Sequence, residues 1–330
     1  MDQYLTETAE ANGGYLMRHQ LIDLGLSDAQ IRSGMQSKVL RRIRHGTYAM
    51  AHEWTAMTAT ERHCVLVRSV LDKLGDRVVA SHHSASALYG HDLFGVDLDT
   101  VHVTRIDGGT SRREAGIAFH HGAVVPTRDI REIDGRLVVE PMRAVFETCS
   151  HVSIESGMVL ATSALRSEQI TVEELIEARS QFAHWMGTRK ARIAIRLADA
   201  RLESVGEVRS LHMMWRHRLP HPELQHQICD VRGQIIARTD FAWLDHRHTG
   251  EFDGLMKYGR LNPYNQDPGQ AIEDEKIRED RVRDESYGMT RWVWASLAPS
   301  QQAKTAAMIR LGMERSKRLY LRNRTVIPLT

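Results

Sequence analysis

Glu251 and Asp253 stand two residues apart in the stretch HTGEFDGLMKYGR, residues 248–260, and Lys257 follows four residues after the aspartate. If the stretch opens as a strand, its period of two puts both carboxylates on one face and Phe252 on the other. Acids this close repel unless a metal ion, a basic side chain or a bound proton stands between them. Asp240 adds a third acid inside the apolar run QIIARTDFAW, where an unpartnered carboxylate is costly. Upstream, ARLESVGEVRSLHMMWRHRLP reads as a helix carrying Glu203 and Glu207 at i, i+4. Glu207, Asp240, Glu251 and Asp253 are therefore expected to converge from one helix and two neighbouring strands. Carboxylates gathered around a hard divalent ion, Mg²⁺ or Mn²⁺, can activate water and stabilise charge during phosphodiester hydrolysis.

A second chemistry occupies the first fifty residues. Leu16, Leu21, Ile22 and Leu24 repeat at helical spacing and Gly25 ends that helix. Ser27 is a fitting N-cap for the next helix, with Ile31 and Met35 on its buried side. VLRRIRHGTYAM then alternates Val39, Leu40 and Ile43 with Arg41, Arg42 and Arg44, and turns at His45-Gly46. Helix, tight turn, helix and basic two-stranded wing make the winged helix-turn-helix pattern. Arg32, Lys38, Arg41, Arg42 and Arg44 are suited to phosphates, and Gln30, Ser33 and Gln36 to base edges. The competing reading is a small helical domain that docks on the rest of the chain or on another protein.

These residues must be positioned by a chain of 330 residues, 42% hydrophobic and 26% charged, enough for more than one core. A net charge of +2 announces no global affinity for nucleic acid, so such a partner must be met by local patches. Cys64, Cys149 and Cys229 lie far apart, which excludes a disulfide framework or clustered thiolate zinc site and fits a reducing cytoplasm. The opening MDQYLTETAEANGG is polar and acidic, unlike a signal peptide, and no apolar run approaches the roughly 18 residues of a membrane span.

Texture divides the chain into 1–52, 53–150, 151–202 and 203–330. The second part mixes the helix ERHCVLVRSVLDKLG with the strands TVHVTR, GIAFHH and RLVV, and the third is a helical connector. The fourth returns to α/β texture and ends in a long helix. The expected fold is thus a multidomain α+β and α/β protein. His82-His83, His91, His102 and His120-His121 draw attention, but no cysteine or carboxylate sits at matching spacing. SHHSASALYG reads as the start of a packed helix that buries Ala85, Ala87 and Leu88. His246 and His248 read as solvated turn residues, Trp292 and Trp294 as core on one strand face, and Gln225 and Gln227 as strand neighbours able to touch a phosphate. EDEKIREDRVRDE reads as a helix laced with i, i+4 ion pairs.

The segments GGYLMRHQLIDLGLSDAQIRSGMQSKVLRRIRHGTYAM and ASHHSASALYG carry a resemblance, covering about the first 150 residues, to the N-terminal domain of AbiEi-type antitoxins. That family comprises transcriptional autorepressors of abortive-infection toxin–antitoxin loci. The series SVGE, RTDFAW, GEFDG, KYG, EKIREDRVRD and TRWVWASL, from about Glu203 to Leu297, resembles a very-short-patch-repair-like endonuclease of the PD-(D/E)xK fold. The second resemblance implies that Asp240 and Glu251 bind metal and that Glu207 is the helix acid. It also expects a lysine where Asp253 stands. Lys257 or Lys276 would then replace it, or Asp253 is an additional metal ligand, or the domain is inactive. Together the resemblances imply a Mg²⁺-dependent DNA endonuclease in phage defence or a toxin–antitoxin setting. Its partners would be double-stranded DNA, a toxin protein and a second copy of the chain, and no membrane. The competing expectation is a non-catalytic autorepressor.

Overall fold

The computed structural model describes residues 2–122, 124–230, 232–254 and 281–321. Its mixed α/β chain falls into two compact units, Met1–Arg196 and Leu197–Thr330, so the first three texture divisions lie almost wholly within one unit.

The first unit opens with α1 (Asp2–Asn12), β1 (Leu16–Met17), α2 (Arg18–Asp23) and α3 (Asp28–Gln36), followed by the hairpin β2 (Leu40–Arg44) and β3 (Thr47–Met50). Ser27 caps α3: its hydroxyl accepts from Gln30 N–H, and the Gln30 side chain accepts from Ser27 N–H at 2.8 Å. Such a reciprocal cap satisfies two otherwise orphaned donors. Gly25 and Gly46 turn the chain at φ +90° and +72°, a region that suits glycine. Leu16, expected on the first helix, pairs instead with Tyr48, making a three-stranded sheet of order β1-β3-β2. Leu16, Leu21, Ile31, Leu40 and Met50 form the core beneath.

Next come α4 (Ala51–Ala56), α5 (Ala59–Leu74), β4 (Val78–Ala80), α6 (His82–Leu88), β5 (Val101–Arg105), β6 (Arg112–Glu114) and β7 (Ile117–His121). They are followed by α7 (Pro126–Asp129), β8 (Ile130–Ile133) and β9 (Arg136–Val139). The six strands form one mixed sheet, β6-β7-β5-β4-β9-β8, in which β5/β7 and β4/β9 are parallel. A Thr58–Glu61 capping box starts α5, and Val67, Val70 and Leu71 sink its apolar face against Val79, Val103 and Val138. Each such side chain stabilises the fold by about 1.5–3 kcal/mol when fully buried. Helices α8 (Pro141–His151), α9 (Ile154–Arg166), α10 (Val172–Gln181) and α11 (Thr188–Leu197) complete the unit.

Arg136 on β9 ties the two sheets of this unit together. Its guanidinium donates to Asp72 at 2.7 and 3.0 Å, to the Asn12 carbonyl at 3.1 Å and to the Tyr15 hydroxyl at 3.2 Å, and Tyr15 in turn donates to Asp72.

The second unit contains α12 (Val205–Arg216), β10 (Glu223–Cys229), β11 (Ile235–Trp243), β12 (His248–Asp253), β13 (Gly288–Val293) and α13 (Gln302–Tyr320). Its sheet runs β10-β11-β12-β13, antiparallel except for the parallel pair β12/β13. Trp292 is buried against Phe241, and its indole N–H donates to Ser210 on α12 at 2.8 Å. Gly206 lets α12 seat on the sheet, because a Cβ there would lie 1.9 Å from the Phe252 ring.

Two expectations are corrected here. Trp294 lies past the strand in a 3₁₀ turn, 45% exposed beneath the Arg209 guanidinium. His248 is a buried strand residue rather than a solvated turn, held by Ser316 and Thr290 hydroxyls at 2.9 Å each. Most of the charged helix expected at 270–286 lies outside the described residues. No helix among the described residues is long and apolar enough to cross a membrane.

Candidate functional site

Strands β11, β12 and β13 answer the question of what faces the acids. Phe241 pairs with Gly250 at the end of the antiparallel ladder, so the alternation of the two strands puts the next residues, Asp240 and Glu251, on one sheet face. Asp240 Oδ2 accepts the Phe252 backbone N–H at 2.8 Å, which fixes its carboxylate over the ladder. On the other side of β12, Glu251 pairs in register with Arg291, whose guanidinium reaches Glu251 Oε2 at 2.9 Å. Glu251 is 8% exposed, so this cation offsets much of the cost of burying its charge. Asp253 follows on the same strand face, half-buried and in register with Val293. Arg291 is the group that sequence reasoning misses. The signal lies in TRWVW, where Arg291 must face away from the buried Trp292, toward whatever the neighbouring strand presents.

Glu207 does not join this pair. It is the third residue of α12 and closes the helix start, accepting from the Ser204 hydroxyl at 2.7 Å and Glu203 N–H at 2.9 Å. Its Oε2 also accepts from Gln225 at 2.9 Å, so Gln225 faces a carboxylate instead of a phosphate. Glu203 precedes the helix and pairs with Arg238 at 2.8 Å. Among the described residues no three acids gather carboxylate oxygens within 4.8 Å of one another. Lys257 and Lys276 lie outside the described residues. The fit to a hard divalent ion therefore rests on Asp240 and Glu251, with Asp253 beside them. All are oxygen donors on one sheet face, as Mg²⁺ or Mn²⁺ requires.

In the first unit, Arg32, Ser33 and Gln36 lie on the exposed face of α3, opposite buried Ile31. Lys38, Arg41 and Arg42 are exposed along the adjoining hairpin, with Arg41 lying over the Trp54 ring. Two expected contacts are redirected. Gln30 is exposed, but its side-chain oxygen is held by the Ser27 cap. Arg44 turns inward and donates to the Ala115 carbonyl at 2.7 Å, and burial holds its pKa below the ordinary guanidinium value.

The same unit gathers histidines from four elements. His82 and His83 begin α6, His102 lies on β5, His120 on β7 and His151 ends α8. The parallel register sets His102 beside Ala118 and Thr104 beside His120, so His102 and His120 meet diagonally, Nδ1 to Nε2, at 2.9 Å. The His82 and His120 rings stack at 3.8 Å. His82 adopts φ +54°, a left-handed backbone uncommon outside glycine, and its N–H donates to Glu147 at 3.0 Å. Its Nδ1 lies 3.1 Å from the Ser81 hydroxyl and 3.4 Å from Glu147, which Arg143 holds at 2.8 Å. Burial, reinforced by neighbouring imidazoles, lowers the pKa of His120 to about 4 and of His102 to about 2, and holds His82 well below its ordinary value. Ala85 and Ala87 are buried, as SHHSASALYG suggests. The carboxylate absent at matching spacing arrives from Glu147, 65 residues beyond His82, through packing of α8 on α6.

No family model matches the chain. It is 30% identical over 230 residues to Uncharacterized protein MT2308 of Mycobacterium tuberculosis (strain CDC 1551 / Oshkosh), a match covering 69% of this chain and 77% of that protein. Uncharacterized protein Rv2248 of Mycobacterium tuberculosis (strain ATCC 25618 / H37Rv) matches to the same extent, 30% identity over 230 residues. At that identity and coverage, the chain belongs to the same family as these two mycobacterial proteins.

Proposed function

We propose that the protein binds duplex DNA through a winged helix at its N-terminus and hydrolyses DNA phosphodiesters at a Mg²⁺ or Mn²⁺ site of the PD-(D/E)xK kind in its C-terminal unit. One observation carries the enzymatic part: Asp240 and Glu251 follow the Phe241–Gly250 pair on one face of neighbouring strands, with Asp240 held to the Phe252 N–H and Arg291 flanking from the next strand. Asp240 and Glu251 would hold the ion, with Asp253 as a further ligand at the strand end. The bound ion would supply Lewis-acid stabilisation of phosphate oxygens and an acidified water. Arg291, anchored on Glu251, would present a cation to the same phosphate and takes the place argued for Lys257 or Lys276. For the DNA-binding part, exposed Lys38, Arg41 and Arg42 beside Arg32, Ser33 and Gln36 supply phosphate and base-edge groups on one helix and hairpin. The setting that fits is phage defence or a toxin–antitoxin locus.

The test is cleavage of plasmid and single-stranded DNA with Mg²⁺ or Mn²⁺. Wild type should nick or linearise plasmid, and Asp240→Asn should lose cleavage while keeping its affinity for duplex. A second reading, a non-catalytic autorepressor that binds DNA and a toxin, is favoured by the Arg291–Glu251 ion pair, which balances the buried acid without any metal. Duplex binding by wild type with no cleavage under either ion would select it.

A further inference from the structure

We propose that His82, His102 and His120 form a binding site for a first-row divalent metal ion, zinc in preference, whose fourth coordination position opens on the adjoining cavity. One ring nitrogen from each of the three residues lies within 4.8 Å of the other two, the only such group of three or more ligand side chains among the described residues. A tetrahedral ion with nitrogen ligands at about 2.0–2.1 Å sets those nitrogens about 3.3 Å apart. The His102 Nδ1 to His120 Nε2 separation of 2.9 Å is close to that spacing already, and a ring nitrogen of His82 lies within 4.8 Å of both ligand atoms.

The surroundings supply what a metal-ligating histidine needs behind it. Such a residue nearly always turns its second nitrogen to a carboxylate or carbonyl, which fixes ring and tautomer. His82 turns Nδ1 to Glu147, leaving Nε2 for the ion, and Arg143 fixes Glu147 in turn at 2.8 Å.

Ligand type and count choose the metal. Three imidazoles without a thiolate suit zinc, copper, nickel or cobalt rather than Mg²⁺. Three protein ligands also leave a fourth position free, as catalytic rather than structural zinc sites do. His82 and His120 line a cavity of about 480 Å³ that is also bordered by Arg128, Arg143 and His151. The fourth ligand is therefore a water or a small anion drawn by the Arg128 and Arg143 guanidiniums.

The experiment uses the untagged full-length protein, stripped with chelator and titrated with Co²⁺ by visible absorption and with Zn²⁺ by calorimetry. One equivalent should bind with the intense d–d bands of a four-coordinate site, and X-ray absorption on the zinc form should show nitrogen scatterers at about 2.0–2.1 Å. His102→Gln and His120→Gln should each weaken binding at least 100-fold with circular dichroism unchanged. Glu147→Gln should weaken it by about 10–100-fold, the usual effect of losing such a supporting carboxylate. His121→Gln, an exposed neighbour, and Asp240→Asn should leave this binding intact, which separates the site from the acids of the C-terminal unit. Absence of saturable Co²⁺ and Zn²⁺ binding to folded wild type would overturn the proposal. So would four-coordinate binding that survives both His102→Gln and His120→Gln. If His102→Gln fails to fold, the half-buried His120 decides alone.

Discussion

Replacing Arg291 by methionine tests how the acidic sheet face is balanced. The substitution keeps most of the aliphatic stem and removes the cation 2.9 Å from Glu251 Oε2. Removing one partner of a fully buried ion pair costs about 3–5 kcal/mol, whereas exposed pairs are worth about 1 kcal/mol or less. The Glu251 side chain is 11% exposed and that of Arg291 29%, so the loss should fall between these limits, at about 2 kcal/mol. In a unit of this size that lowers the melting temperature by about 8 °C. The cause is the loss of the cation facing a buried carboxylate, so Glu251→Gln should rescue the variant. The double mutant should be more stable than Arg291→Met alone, with a coupling of about 1–2 kcal/mol in a double-mutant cycle. If Asp240 and Glu251 also ligate a divalent ion, Mn²⁺ at one hundred times the variant's Kd should stabilise Arg291→Met by about 2.7 kcal/mol, and the same Mn²⁺ concentration should stabilise wild type by less. Urea denaturation with and without Mn²⁺ measures all of these. A coupling below about 0.5 kcal/mol would refute the account of Arg291 as the balancing charge.

Other outcomes follow from single contacts. Arg41→Glu with Arg42→Glu should cut the slope of log affinity for duplex against log salt by about 2, since each lost phosphate contact removes about 0.9. Arg44→Gln, whose side chain faces the Ala115 carbonyl, should leave that slope unchanged. Burial lowers the His248 pKa from its ordinary 6.5 to about 4, so the unfolded chain binds the proton more readily than the fold does. The resulting stability, about 3 kcal/mol, is full above pH 6.5 and lost as pH falls toward 4, and His248→Gln should flatten that part of the denaturation profile. Gly206→Ala should destabilise the C-terminal unit by about 2 kcal/mol in the same urea assay, because its Cβ drives the Phe252 ring off α12.

Local signals were legible to the extent that local physics made the element. The Ser27 cap, the His45-Gly46 turn and the apolar spacing of ERHCVLVRSVLDKLG each act within a few residues, and each stands where its pattern indicates. The short strands β4 and β6 were not legible, since three residues carry too little alternation. At the acidic face, period two was enough to align Glu251 with Asp253. It could not supply Arg291, which arrives only through the parallel register of β12 and β13. Glu207 stands at helical spacing in the first turn of α12, where its carboxylate accepts from the Ser204 hydroxyl and the Glu203 N–H, contacts that its spacing alone did not reveal. The histidine cluster was hidden for the same reason as Arg291, because the meeting of His82, His102, His120 and Glu147 depends on which strands and helices adjoin.

The Arg136 brace has a thermodynamic consequence for any partner of the N-terminal hairpin. A recognition module hung on a flexible linker loses tether freedom each time it docks, and that loss is subtracted from its affinity. Here Arg136 grips Asn12, Tyr15 and Asp72 at once, and Arg44 adds a second clasp to Ala115. Any target of the proposed DNA-binding face would thus meet a hairpin already immobilised on the six-stranded sheet. Association forfeits little conformational entropy, and a backbone that does not match the fixed hairpin gains no adaptive fit in return.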